Sequence, residues 1–188
     1  MGAQDQMLEQ IQHLKFIVRD LLIQHYAQRE FLSGVWWLNV ANLIIPLVIW
    51  YILVDKKRLM EIIIVGLVAN VYAGFLDVLG SEMMLWDYPV HVLPVVPLLI
   101  PIDYIILPVI QMLLYQYFPN WRGFLIASVV ASALQTFVAE PFAVWVGVYQ
   151  LISWKYIYSF PIYILIGVST KFFVERVMAR QMRSRAKS

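Results

Sequence analysis

The sequence predicts an all-α fold, a polytopic bundle of transmembrane helices, and two observations carry that prediction. Apolar residues make up 62% of the 188, charged residues only 14%, and the mean hydropathy is +0.73. A soluble domain lies nearer half apolar and a quarter charged. The apolar residues also gather in stretches of about 20, the length a helix needs to cross a hydrocarbon core about 30 Å thick. Trp and Tyr stand at the ends of these stretches, as in an interfacial aromatic belt. About five spans are expected, the third broken by prolines and the first preceded by an amphipathic helix. The chain divides accordingly into residues 1–34, an N-terminal helix; 35–178, the bundle; and 179–188, a basic tail.

Composition excludes several classes. The chain has no cysteine, so disulfides, thiolate metal sites and cysteine nucleophiles are ruled out. A net charge of +2 gives no reason to expect a nucleic-acid partner. Residues 1–34 carry interspersed charges and no short apolar core before a cleavage site, so a secretory signal is not expected. Gly2 is followed by Gln6 rather than Ser or Thr, which breaks the myristoylation pattern.

Within 4–32, Met7, Ile11, Leu14, Val18 and Leu21 recur at helical spacing. Glu9, Lys15, Arg19, Asp20, Arg29 and Glu30 fall mostly on other faces. This pattern predicts a helix lying on the membrane or on the bundle, with a short coiled-coil seam as the alternative. His13 and His25 are expected to be solvated. The first span, Val35–Val54, has Trp36 and Trp37 at one end and Trp50 and Tyr51 at the other, and Pro46 should kink it. A tight charged loop, Asp55–Arg58, follows.

The second span runs from Met60 to about Leu79. Gly66, Asn70 and Gly74 stand four apart with Asp77 one turn on, a face suited to close helix approach and to pointing polar groups into the bundle. Pro89, Pro94, Pro97, Pro101 and Pro108 make 88–118 unsuited to one ideal helix. Lipid cannot replace the lost donors, so residues 89–100 are expected to be irregular or re-entrant and sheltered by protein. The third span then begins with Pro101 in its first turn, Asp103 beside it at the favourable end of the helix dipole, and ends near Phe118.

The fourth span starts near Trp121-Arg122. Ala127/Ala131 and Ser128/Ser132 are small-residue pairs, and Ser128, Ser132, Thr136 and Glu140 form a polar stripe. Glu140-Pro141 is expected to interrupt this helix. The aromatic run Trp154–Pro161 reads as an interface belt leading into a fifth span, Tyr156 to about Val177, and the tail beyond Arg176 is expected to fray.

Lys56, Lys57, Arg58, Arg122 and the basic tail fall on one side of a five-span arrangement, which predicts a cytoplasmic C-terminus. Lys15, Arg19 and Arg29 count against that orientation. Helix rise puts Asp77 roughly 28 Å from Arg58, Glu140 roughly 27 Å from Arg122 and Asp103 roughly 24 Å from Pro119. Three spans therefore bring carboxylates to the leaflet opposite the basic loops, whichever side faces the cytoplasm.

The candidate pocket comprises Asp77, Glu82, Trp86, Asp87, His91, Asp103, Glu140 and Lys155, with Asp103 and Glu140 as candidate catalytic acids. Charge buried in a bilayer is costly, so such acids share protons, bind a cation or pair with Lys155 or His91. The structural alternative is that Asp77, Asp103 and Glu140 only cap broken helices. No tight ligand spacing points to a metal, and no cofactor is expected.

Two resemblances bear on function. Trp86-Asp-Tyr-Pro89, Pro101-Ile-Asp103, Pro108-Val109, Tyr115-Gln-Tyr-Phe118, Ala139-Glu-Pro141 and Trp154–Ile162 together resemble an uncharacterised family of small multi-span proteins from endospore-forming Gram-positive bacteria. That likeness covers most of 35–175 and implies a bacterial cell membrane but no activity. Gly80, Trp86 and Pro101-Ile-Asp103-Tyr104 are similar, over about 25 residues, to the membrane-embedded lycopene cyclase domain. Its Pro-x-acid-acid signature handles protons, which implies that role for Asp103; here Tyr104 replaces the second acid.

Three functions remain open on these residues. One is an integral membrane protein with a lipid or cation pocket. Another is a cofactor-free acid/base enzyme on an isoprenoid or other lipid. The third is a proton- or cation-coupled transporter, which with five spans and no internal inverted repeat would have to work as a homo-oligomer. Membrane lipids are the expected partners in all three.

Overall fold

A computed structural model of the chain describes residues 3–185 apart from Pro97. The chain is a helical bundle. Helix α1, Ala3–His25, runs into a wide π turn, Tyr26–Glu30. Helix α2, Gly34–Leu53, starts where the Ser33 hydroxyl accepts the Trp36 amide and continues through Pro46. After a 3₁₀ turn at Lys56–Arg58 comes α3, Leu59–Glu82. Helix α4 joins a π segment, Pro101–Ile106, to Leu107–Tyr117. Helix α5, Trp121–Val146, contains a π turn at Gln135–Ala139, and α6 is Tyr156–Arg185.

Four helical stretches, Gly34–Leu53, Lys56–Glu82, Trp121–Val146 and Tyr156–Ser184, are long and apolar enough to cross a membrane. Helix α4 spans only about 24 Å at helical rise. At the place of the expected third span stands this shorter helix, with irregular chain over 83–96 and 98–99 before it.

Two expectations for the helices are corrected. Glu140-Pro141 does not interrupt α5. The π turn before it bonds the Glu140 amide to the Gln135 carbonyl, five residues back. That widened turn makes room for the Pro141 ring, so the missing donor shifts the helical register without ending the helix. The stretch after Arg176 does not fray: α6 continues through 179–185, so the expected tail boundary is not a structural one, and 186–188 lie outside the described residues.

The core places α3 at the centre. Ile62 and Val65 on α3 pack with Val109, Met112 and Tyr115 on α4 and Val174 on α6. One level on, Ala69 and Ala73 meet Leu107 and Ile166. Gly66, Gly74 and Asp77 are buried on the α3 face read from the sequence. The Ser128–Ser132–Thr136–Glu140 stripe is buried along α5. Outward faces carry the large apolar residues, among them Ile44, Ile52, Leu67, Phe75 and Val130.

The connections at the acidic end are tied together. A two-residue antiparallel pair joins β1, Trp86–Asp87, to β2, Gln150–Leu151, with Trp86 opposite Leu151. The Leu85 carbonyl accepts the amides of Ile152, Ser153 and Trp154. The chain leaving α3 is thus fastened to the chain leaving α5.

Candidate functional site

Between these fastened connections and the ends of α3, α4, α5 and α6 lies a cavity of about 390 Å³. Asp77 from α3, Asp103 from α4 and Glu140 from α5 all line it. The convergence of three carboxylates on one level, expected from helix rise, is therefore met. Most of the remaining wall is apolar or aromatic, including Leu76, Leu99, Ile102, Ile106, Ala143 and Ile162. No Lys, Arg or His is among the described lining residues.

Asp77 is the hub of one half. Its Oδ1 accepts the Trp86 indole N–H at 2.9 Å and the Tyr88 hydroxyl. The Asp103 carboxyl lies beside Asp77, within hydrogen-bonding reach. Oδ2 of each acid is buried with no donor among the described residues. One proton held between the two carboxyls satisfies both atoms, since a protonated carboxyl donates where a carboxylate only accepts.

Glu140 is the hub of the other half. Its Oε1 accepts the Tyr163 hydroxyl at 2.7 Å, and its Oε2 accepts the Ser159 hydroxyl at 3.2 Å. Ser159 in turn accepts the Trp154 indole at 3.0 Å. Trp154 meets Trp86 edge to face, with ring centroids 5.0 Å apart. The two acid centres are thus bridged by a pair of indoles, one donating into each. Tyr88 stacks with Tyr149 at 5.8 Å. Burial, and then the neighbouring Asp103 and Asp77, push the Tyr88 phenol above its ordinary pKa. Burial, then Glu140, Asp77 and Asp103, do the same for Tyr149. Both phenols stay protonated and serve as donors.

Four candidates read from the sequence lie elsewhere. Glu82 and Asp87 are exposed, and Asp87, at the end of β1, accepts the Tyr88 amide. Lys155 is exposed and makes no ion pair among the described residues, so it is not the partner of the acids. His91 belongs to a separate cluster around Glu30. Glu30, which falls outside the apolar repeat of the N-terminal segment, is 2% exposed. It accepts the His91 amide at 2.6 Å and pairs with His25 Nδ1 at 2.7 Å, so His25 is partnered rather than merely solvated. With Tyr26 on Val92 and Asn39 on Val90, this cluster clamps residues 90–92 to the start of the bundle.

Sequence reasoning missed Tyr88, Tyr149, Ser159 and Tyr163, and assigned Trp154 to an interface belt. Ser159 and Tyr163 stand four apart on α6, a spacing that puts two hydroxyls on one face towards a single partner. That signal was present; nothing in the sequence said which of the three acids this face would meet. Tyr88 and Tyr149 come together through the β1–β2 pairing, which two-residue strands do not announce. Among the described residues no group of three or more His, Asp or Glu has the geometry to hold a metal ion.

Fold and site together define a helical protein with four helices fit to cross a membrane and an apolar cavity edged by three carboxyls. No family model, curated protein or solved structure matches it.

Proposed function

We propose that this is an integral protein of a bacterial cell membrane that binds an isoprenoid or similar lipid-class chain in its cavity. We further propose that it acts on that chain by acid/base chemistry without a cofactor. The observation that carries the reading is the convergence of Asp77, Asp103 and Glu140 on a cavity whose other walls are apolar and aromatic. Such walls favour hydrocarbon over a hydrated ion, and paired carboxyls supply and remove protons.

In this reading Asp103 donates the proton it shares with Asp77 to a carbon–carbon double bond of the bound chain. The π electrons take the proton, and positive charge develops on the neighbouring carbon. The faces of Trp86, Trp154, Tyr88 and Tyr149 stabilise that charge. Glu140 then removes a proton from an adjacent carbon and a double bond forms again, so atoms and electrons balance as an isomerisation or ring closure. The partial resemblance to the lycopene cyclase domain points to the same acid. Where that signature has a second acid and this chain has Tyr104, Asp77 on α3 supplies the second carboxyl. The basic end of the bundle is assigned to the cytoplasm by its Lys and Arg.

The test is deuterium incorporation. Protein purified in detergent is extracted and the extract searched for isoprenoids by mass spectrometry. It is then incubated with geranylgeraniol in deuterated water. The expected result is deuterium in the recovered isoprenoid with wild-type protein, and at least tenfold less with Asp103→Asn or Glu140→Gln. Equal incorporation by the variants, or none by any protein together with no bound isoprenoid, refutes the proposal.

A further inference from the structure

A second polar feature lies below the cavity and independently of it. Ser128, Ser132 and Thr136 continue from Glu140 down the buried face of α5, and each is no more than 1% exposed. Two more polar side chains are buried at that depth, Gln111 on α4 and Thr170 on α6, at 3% and 1% exposure. Gln111 Oε1, Ser128 Oγ, Thr136 Oγ1 and Thr170 Oγ1 have no hydrogen-bond partner among the described residues.

Packing puts these groups on matching levels. At the basic end Lys171 of α6 lies over the rings of Phe124 on α5 and Tyr115 on α4, 4.9 and 4.7 Å from their centroids. One turn towards the cavity from those three residues stand Gly167, Ser128 and Gln111. A Cβ on Gly167 would meet Gln111 Oε1 at 2.8 Å, so that level is closely packed too. Further up, Ser132 and Thr136 lead to Glu140, which Tyr163 and Ser159 of α6 hold. At the foot, Lys171 Nζ donates to the Pro119 carbonyl and pairs with Glu175 at 3.0 Å. Glu175 is part-exposed and also accepts the Trp121 indole.

Buried polar atoms left unpaired by protein are ordinarily satisfied by water. Residues four apart on one helix face are about 5–6 Å apart, a gap that one water closes with two hydrogen bonds of about 2.8 Å. From Ser128 to Glu140 the row climbs roughly 18 Å. We propose that Thr136, Ser132, Ser128, Gln111 and Thr170 form a hydrated proton path joining Glu140 in the cavity to the Lys171–Glu175 pair at the opposite end.

Hydroxyls and an amide both donate and accept, so waters between them pass protons by hydrogen-bond exchange. At the foot the row ends on the Lys171–Glu175 pair, whose carboxylate is part-exposed beside the opposite surface. Exchange along single waters moves protons without moving an ion, so the path is one for protons and not for metal ions. Through Glu140 the site above it thereby exchanges protons with the opposite membrane face.

The full-length protein, reconstituted in phosphatidylcholine vesicles containing pyranine, tests this under a potassium diffusion potential set with valinomycin. Proton entry is expected to exceed that of protein-free vesicles at least tenfold. Thr136→Val, which removes the hydroxyl at equal volume, should return it to background, and Ser132→Ala gives a second reading at another level. Ser169→Ala, whose hydroxyl bonds the Leu165 carbonyl of its own helix at 2.6 Å, should conduct as wild type. Melting temperatures taken alongside confirm that each variant is folded. Wild-type vesicles no more permeable than empty ones, folded Thr136→Val and Ser132→Ala conducting as wild type, or potassium passing as fast as protons would each overturn the proposal. None of these outcomes depends on whether a lipid binds in the cavity.

Discussion

Gly80→Ala is the smallest change that should disturb the site. A Cβ at this position would fall 2.0 Å from Trp86 Cη2 and 2.1 Å from Cζ2. No real Cβ contact approaches that, so the indole must retreat by more than an ångström, and the indole is held at both ends. It donates to Asp77 Oδ1 at 2.9 Å and meets Trp154 edge to face. Losing a hydrogen bond to a charged group costs about 1.5–3 kcal/mol. Losing an aromatic edge contact costs about 0.5–1.5 kcal/mol. Alanine returns about 0.5–1 kcal/mol through helix propensity. The net destabilisation is therefore about 1–4 kcal/mol, a fall in melting temperature on the order of 2–16 °C for a chain of this size. Scanning fluorimetry of detergent-solubilised protein reads it. Gly123→Ala is the control, because its Cβ would make only an ordinary contact, 3.6 Å from Phe118, and propensity alone should then stabilise. If Gly80→Ala melts at or above wild type, as Gly123→Ala should, Trp86 is not locked against α3 and the indole bridge is wrong.

Two further outcomes follow from the same geometry. Tyr88→Phe removes one of the donors to Asp77 Oδ1 and should destabilise by about 1–3 kcal/mol, the cost of an under-satisfied buried group, in the same melting assay. Glu30→Ala should release the 90–92 strap, because the His91 amide loses its 2.6 Å acceptor. Hydrogen exchange at that amide is expected to accelerate at least tenfold while the α3 and α4 core amides keep their protection.

The helices were legible because lipid makes their apolar pattern obligatory. Even the inward faces could be read: Gly66, Gly74 and Asp77 on α3 and the Ser128–Glu140 stripe on α5 are buried as their spacing implied. The depth of the three acids followed from helix rise alone. What spacing could not reveal was backbone that changes its own hydrogen-bond register. The π turn at Gln135–Ala139 lets α5 run on past Pro141, where proline read as a stop. Partners chosen by tertiary contact were also hidden. Lys155 was the only cation near the acids in sequence, yet indoles, phenols and a serine hydroxyl satisfy Asp77 and Glu140. Glu30 looked like one more polar-face residue because its burial depends on His91, far along the chain.

The shortness of α4 explains why the acids can occupy an accessible chamber at all. A helix extended over 89–100 would have filled the space beside the upper turns of α3 and α5, and Asp77 and Glu140 would have faced packed side chains. The prolines there prevent it. Pro94 and Pro101 bound chain that cannot keep regular helical bonds, so α4 starts about three turns later than that helix would. The gap this leaves is walled by the 83–99 connection, and irregular backbone in that position must satisfy its own polar groups. The structure does so with side chains from outside the connection. Asn39 donates to the Val90 carbonyl and Tyr26 to the Val92 carbonyl, Glu30 accepts the His91 amide, and Asp77 anchors the Trp86 and Tyr88 side chains. Asp77 therefore holds the wall and lines the chamber with the same carboxylate. Replacing it with leucine removes both functions together, whereas Asp103→Asn, which bears none of those wall contacts, should spare folding and report on proton handling alone.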